Sequence, residues 1–239
     1  MENQEAGQII ADSKNIYLIT SQEPEAITST LALFYTLKEL NKNVNLIIDD
    51  LPENLKFLAP SLDFISYPKN FVVSIPNNVA QISQIYYEKN NDALKIHLTL
   101  ESGNIKKDNI AFYFSEAKPD LIITIGVRDY QKELSNKLNS FGFLLDSPIL
   151  NIDNSQNNKS FGKVNLLGSS SLTETVFNLI KETNGELMKK EPATCLLSGL
   201  IFYTENFKNK LTADVFQIVS DLMKKGADLQ EILKNLSLA

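Results

Sequence analysis

The chain is poor in the residues that carry most metal, redox and imidazole chemistry. Its 239 residues include one histidine, His97, one cysteine, Cys195, and no tryptophan. A single cysteine excludes an intrachain disulfide and a cysteine-built zinc site. A single histidine excludes most histidine-based chemistry. Cys195 lies in PATCLLSGLIFY, where a small core residue on a buried helix is the expected role. No run of about 18 apolar residues occurs, so no membrane span is predicted. The opening MENQEAGQII is acidic and polar and does not read as a signal peptide. A cytoplasmic location follows by default. Basic residues are also outnumbered, with 23 Lys and Arg against 29 Asp and Glu and a formal charge of −6. That balance argues against bulk electrostatic binding of nucleic acid, double-stranded DNA included, and leaves only a local basic groove. What is present in quantity is ordinary: 43% apolar and 22% charged residues describe a globular chain, long enough for one large α/β domain.

Hydrophobic patterning organises the chain. NIYLIT (15–20) reads as a strand. PEAITSTLALFYTLKELNK (24–42) follows with helical spacing, placing Ile27, Leu31, Phe34, Leu37 and Leu40 on one broad face. NVNLIID (43–49) is the next strand, and this β-α-β start implies parallel strands joined by a crossover helix. LPENLKFLAP is a connector with a helical turn. Between about 70 and 115 the character changes to a β-hairpin insert. FVVSIP, AQISQIYYEK and DALKIHLTL read as strands, with NND as a tight turn between the last two. Leu94, Ile96, Leu98 and Leu100 alternate with Lys95, His97 and Thr99, which predicts a half-buried antiparallel strand. His97 then falls on the polar face as a lone surface histidine, with no acid or second histidine beside it. PDLIITIG (119–126) and PILNID return to the buried-strand pattern, with the helix DYQKELSNKL between them. SLTETVFNLIKE opens with Ser171 and Glu174 in capping-box spacing. PATCLLSGLIFYT, TADVFQIVSDLMKKG and DLQEILKNL complete a helical C-terminal third. The expected fold class is α/β: a parallel-core sheet flanked by helices, as one domain over 1–239 carrying the insert.

Open parallel sheets bind ligands beyond the carboxyl ends of their strands. Those ends carry Ser21-Gln22-Glu23-Pro24-Glu25, Gly126-Val127-Arg128-Asp129 and Asp153-Asn154-Ser155. Tyr203-Thr204-Glu205-Asn206 closes a helix that can approach them. Asp153 caps a turn or accepts backbone N–H groups in one reading, and ligates a metal in the other. Asp129 caps the helix it precedes, and Glu25 opens a helix, where negative charge is favourable. Ser169, Ser170 and Ser171 sit where a helix start can hold a phosphate, although Ser171 is already accounted for as a cap. GKVNLLGSS lacks the spacing of a Walker loop.

The segments NIYLITS, LPENLKFL, PDLIITIG, PILNIDNSQNNKSFGKVNLL, SSSLTETVFNLIKE, PATCLLSGLIFYTENF and GADLQEIL occur in an order and spacing that resemble the DHH phosphoesterases. The branch resembled is that of small oligoribonucleases and phosphoadenosine-phosphate phosphatases. The resemblance covers most of the chain, and NID followed by FGKVNLL and SSSLTETVF is its most specific part. It implies the family's catalytic-type domain without the small C-terminal substrate-binding domain. Family members bind two manganese ions through a histidine and two aspartates after the first strand, an aspartate after the middle strand, the Asp-His-His triplet, and an aspartate in the later helical segment. Two adjacent cations need that density of bridging carboxylates.

Position by position, the ligands are missing. The first histidine falls on Ser21, and the shortened loop after it leaves Glu25 as the only nearby acid. The middle-strand aspartate falls on Gly126. The triplet falls on Asp153, Asn154 and Ser155, so only its first member matches. The late aspartate falls on Tyr203, and a phosphate-side Phe-Arg pair falls on Phe207-Lys208. The resemblance therefore implies degenerate metal motifs and no bound manganese. A pocket of Ser21, Glu25, Arg128, Asp153, Asn154, Ser155 and Lys208 remains for a nucleotide- or phosphate-like ligand, with Arg128 and Lys208 as the anion contacts. Three functions compete. The first is a catalytically silent domain that binds such a ligand or a protein partner, with the hairpin of 80–100 as an edge for homodimerisation or docking. The second is an active phosphoesterase with a site rebuilt from Glu23, Glu25, Asp129, Asp153 and Glu205. The third is half of an assembly whose partner supplies the missing ligands and domain. The first is the preferred reading.

Overall fold

Strands that are covered on both faces have no polar side to show, and the β-branched run of β1, Asn15–Thr20, behaves that way: Ile16 to Thr20 are all buried. The computed structural model describes residues 2–48, 51–59, 69–116, 118–134, 147–168, 171–184 and 188–236. The chain divides into two compact units, Met1–Tyr67 with Lys118–Ala239, and Pro68–Ala117.

The first unit is built on a five-stranded sheet. β1 pairs in parallel with β2, Asn43–Ile47, on one side and with β7, Leu121–Ile125, on the other. β8, Ile149–Asp153, and β9, Val164–Leu167, continue it in parallel, giving the order β2-β1-β7-β8-β9. The order reverses between β1 and β7. Their carboxyl ends, at Thr20-Ser21 and Ile125-Gly126, therefore flank a topological switch point, where an open sheet forms its crevice.

The described helices cover one face of this sheet, except the one-turn helix Tyr130–Glu133, whose Tyr130 packs with Tyr17, Ile19 and Ile122 on the other. α1, Glu2–Asp12, buries only Ala6 and Ile10. α2, Pro24–Glu39, is buried from Ala26 almost without a break to Leu37. Pro24 starts it well, because the first helical N–H has no intrahelical partner in any case. Its hydroxyls return their protons to carbonyls one turn back: Thr28 to Pro24, Thr30 to Ala26 and Thr36 to Ala32. That lets a helix with several polar residues lie in the core. α3, Tyr130–Glu133, is one turn long. α4, Leu172–Asn184, α5, Lys190–Tyr203, α6, Ala213–Lys224, and α7, Leu229–Leu236, form the helical C-terminal part. Ile27, Leu31, Phe34, Leu121, Ile123, Val176, Leu196 and Leu200 share one continuous core, and Cys195 is buried within it.

The second unit contains two separate antiparallel pairs. β3, Lys69–Ser74, pairs with β6, Ala111–Glu116. β4, Ala80–Lys89, pairs with β5, Leu94–Gly103, through the 90–93 turn.

Several expectations shift. The second helix stops at Glu39 because Asn41 turns left-handed at φ 57°. The strand expected over 43–49 ends at Ile47, and Asp49 lies outside the described residues, as do the end of the DYQKELSNKL helix and Ser169-Ser170. α1, β6 and β9 carry no sequence reading as elements above. β5 is not half-buried: Leu94, Ile96 and Leu100 are exposed. Nor is His97 alone. Its ring stacks on Tyr86 at 4.6 Å, and its Nε2 lies 3.7 Å from a Glu88 oxygen.

The core reading makes a direct prediction. Phe34→Ala, at a fully buried site, should cost about 3–5 kcal/mol. Phe216→Ala, on the open side of α6, should change stability by no more than about 0.5 kcal/mol. Urea unfolding of the two variants measures both.

Candidate functional site

The crevice at the switch point begins at Ser21. Its N–H donates to the Ile125 carbonyl at 3.0 Å, extending the β1–β7 ladder by one residue. Its hydroxyl oxygen is buried and has no hydrogen-bond partner. Opposite it, Gly126 has φ +71°, and its N–H donates to the Ile152 carbonyl at 2.9 Å. A Cβ on Gly126 would fall 2.7 Å from the Ser21 oxygen and 2.9 Å from the Ala26 Cβ. Only glycine fits both that backbone and that space. An aspartate could not occupy this position without moving β1 or α2.

Glu25, in the first turn of α2, does not face an open crevice. Its carboxylate accepts the Ser171 hydroxyl at 2.6 Å, the Thr173 N–H at 3.1 Å and the Thr173 hydroxyl at 3.3 Å. The acid of one helix thus caps the N-terminus of another, across 146 residues of sequence. Ser171 also accepts the Glu174 N–H at 3.2 Å, as an N-cap does. The unpaired N–H groups and positive dipole end of α4 are where an external phosphate would bind. Here an internal carboxylate occupies that place. Burial pushes the Glu25 carboxyl above its ordinary value, and the hydrogen bonds from Ser171 and Thr173 pull it part of the way back.

Tyr203, at the end of α5, completes this side. Burial and the nearby Glu174 and Glu25 charges raise its phenol. The Lys210 Nζ sits 4.6 Å from its ring centre, a cation–π distance. Glu205, Asn206 and Phe207 follow in the left-handed region at φ 52°, 60° and 59°. Such residues cost roughly 1–2 kcal/mol each. Thr204 holds the turn: its hydroxyl accepts the Phe207 N–H and its carbonyl accepts the N–H groups of Lys208 and Asn209. Lys208 emerges from this turn exposed, and the Glu205 carboxylate accepts from Asn209.

The β8 end is committed to structure. Asp153 is 2% exposed. One carboxylate oxygen accepts the Asn154 N–H at 2.9 Å, and the other accepts the Asn158 amide at 2.7 Å. The second proton of that amide goes to the Val127 carbonyl at 2.9 Å. The Asn158 oxygen accepts from Asn151, whose own oxygen accepts the Thr124 hydroxyl and whose amide also reaches Asn165. Both amide protons of Asn158 and both of Asn151 are therefore used. Asp153 anchors the loop of 154–158 to the loop after β7. Ser155 accepts the Asn157 N–H within that turn. Asn158 was not singled out from sequence, although an amide five residues past an acid in an Asn-rich turn was a legible signal.

Arg128 pairs with Glu23 at 2.6 Å, both half-exposed. Glu133 accepts the N–H groups of Arg128 and Asp129, and Asp129 accepts the Lys132 N–H as the cap of α3. The structure thus brings Ser21 to Gly126, Glu25 to Ser171, Asp153 to Asn158, and Arg128 to Glu23. Among the described residues, no group of three or more His, Cys, Asp or Glu stands close enough to hold a metal ion. The donor set does not fit a two-metal centre. Of the two acids matched to it, Asp153 has both oxygens engaged and Glu25 is engaged with α4. A cleft of about 740 Å³ lies elsewhere, between the end of α5 and α7, lined by Ile201, Phe202, Gln230 and Leu233 among others.

No family model matches the sequence, and no curated protein matches it. Solved structures do match the fold. An exopolyphosphatase-related protein from Bacteroides fragilis superposes with a TM-score of 0.69 at 18% identity, over 100% of this chain and 60% of its own. The chain thus spans about 60% of the length of that neighbour. Exonuclease RecJ bound to manganese gives a TM-score of 0.48 at 11% identity, over 94% of this chain and 48% of its own, too low to argue from. The first likeness shows the fold: a helix-flanked parallel sheet of the kind expected from the resemblance to the DHH proteins. Among the described residues no helix is long and apolar enough to cross a membrane.

The Glu25 contact sets a pH test. A carboxyl raised on folding binds more protons in the folded state than in the unfolded one. Stability should therefore fall as pH rises from the ordinary value of 4.5 through the raised value. Glu25→Gln keeps an acceptor for Ser171 and Thr173 without the buried charge, so it should flatten that fall and match or exceed the wild type at neutral pH. Glu25→Ala should lose about 1–2 kcal/mol of capping. Denaturant titrations from acid to neutral pH distinguish the three proteins.

Proposed function

We propose that the chain is a catalytically degenerate relative of the DHH phosphoesterases that acts by binding. It is read as one such domain carrying the 70–115 insert. The observation that carries this reading is the Glu25 carboxylate at the N-terminus of α4. An acid matched to the metal-binding loop is spent on a helix cap, and the helix start that could receive a phosphate is already satisfied. Gly126 and Tyr203 support it, since neither position offers a ligand. Asp153 supports it too, because its hydrogen bonds give a buried acid a structural reason to be present. What is bound is then a nucleotide- or phosphate-like ligand reached by Arg128 and Lys208, or a protein partner. The filled helix start favours the protein partner. The neighbour's description as exopolyphosphatase-related is consistent with a phosphate-handling ancestry for the fold.

The test is calorimetric titration with Mn²⁺ and Mg²⁺, run beside an assay for hydrolysis of short oligoribonucleotides. The expected result is no stoichiometric binding and no turnover. Asp153→Ala in metal-free buffer should still lose about 1–3 kcal/mol of stability, because two donors are orphaned. Micromolar binding of two ions, with turnover abolished by Asp153→Ala, would establish a working metal phosphoesterase instead.

A further inference from the structure

The β4–β5 hairpin has one face that is apolar and open. Its register pairs Ile82 with Leu100, Ile85 with Leu98, Tyr87 with Ile96 and Lys89 with Leu94. Cross-strand partners share a face, so seven apolar side chains and one lysine lie together. β4 needs an irregularity to achieve this. Ile82 and Ile85 are three residues apart, and simple alternation would put them on opposite faces. The register shift between Ile82 and Gln84 restores Ile82 to the apolar side. Ile85, Tyr87, Leu94, Ile96 and Leu100 are nevertheless between 38 and 72% exposed. The opposite face carries Tyr86, Glu88, Lys95, His97 and Thr99 and is polar in the ordinary way.

We infer that this face is the interface between two copies of the chain, packed hairpin on hairpin about a two-fold axis. Area, the marginal stability of a lone hairpin and charge together select a second copy. The five exposed side chains leave on the order of 500 Å² of apolar surface open, against about 800 Å² per partner in a standard interface. One hairpin face thus supplies most of what a stable dimer needs. A two-stranded pair is also marginal by itself in water, and a second sheet stacked at about 10 Å gives it the missing layer. Finally, the charges are self-complementary. Lys89 stands at the turn end of the face, and Glu101, which the register skips and so assigns to neither face, stands at the other end of the hairpin. A two-fold antiparallel arrangement sets the turn end of each copy over the opposite end of its partner, so the Lys89–Glu101 attraction occurs twice. A chain of charge −6 meets itself most readily through a face with no acid in its middle. The inference does not depend on how the strand-end crevice is read.

Sedimentation equilibrium of the full chain, from about 1 to 100 μM, tests it. The wild type should be a reversible dimer. Ile96→Lys and Tyr87→Glu should each weaken dimerisation by more than about tenfold. Thr99→Lys, on the opposite face, should not. Lys89→Glu should weaken it, and Lys89→Glu with Glu101→Lys should recover it. The altered residues are exposed, so circular dichroism of each variant should match the wild type, and the two face variants report independently of each other. A monomeric wild type over the whole range would overturn the inference and leave the face to a different protein. A dimer indifferent to both face variants would overturn it as well, and failure of the double swap would overturn the antiparallel arrangement.

Discussion

A carboxylate on one helix closing the start of another is the contact on which the strand-end architecture depends. Glu25 joins α2, the most buried helix, to α4, and it does so beside the point where the sheet order reverses. The α4 N-terminus has unpaired donors and a positive dipole end, and such an end must be satisfied by water, by a ligand or by the protein itself. The protein satisfies it. Burial penalises the Glu25 charge while the hydrogen bonds from Ser171 and Thr173 favour it, so the carboxyl rises above its ordinary value while it occupies the helix start.

The β8 end is closed by the same logic, with side chains of the chain itself. Asp153, Asn158, Asn151 and Thr124 form a connected set in which each acceptor has a donor, and this set ties the loop after β8 to the loop after β7. Polar networks of this kind fix geometry when complete. Gly126 lets β1 and β7 approach until there is no room for a side chain between Ser21 and Ala26. The crevice of an open α/β sheet is present by topology, and the Glu25 and Asp153 carboxylates at its edges accept hydrogen bonds from the chain itself.

How much of this was legible in the sequence follows from what each pattern encodes. β1, β7 and β8 were visible because strands buried on both faces read as continuous apolar runs. α1 was not, because only Ala6 and Ile10 are buried in an otherwise polar helix, too few to set a period. β9 has only four residues. The alternation in β4 and β5 correctly marked two unlike faces, but alternation cannot say whether anything covers the apolar one. Ile85, Tyr87, Leu94 and Ile96 on that face are exposed. The Asp129 and Ser171 caps were legible because a cap and its target lie within three residues. The Glu25–Ser171 contact was not, since 146 residues separate its partners and no local rule connects them. The resemblance to the DHH proteins implied different residues at the family's ligand positions. It could not show which contacts those residues make in the fold.

That replacement can be observed directly. Nuclear magnetic resonance of the isotopically labelled protein with substoichiometric Mn²⁺ reports which amides approach the paramagnetic ion. The account predicts that Ser21, Gly126, Asp153 and Ser171 broaden no more than amides on the far side of the sheet. Selective broadening of those four would place a metal in the crevice and contradict it.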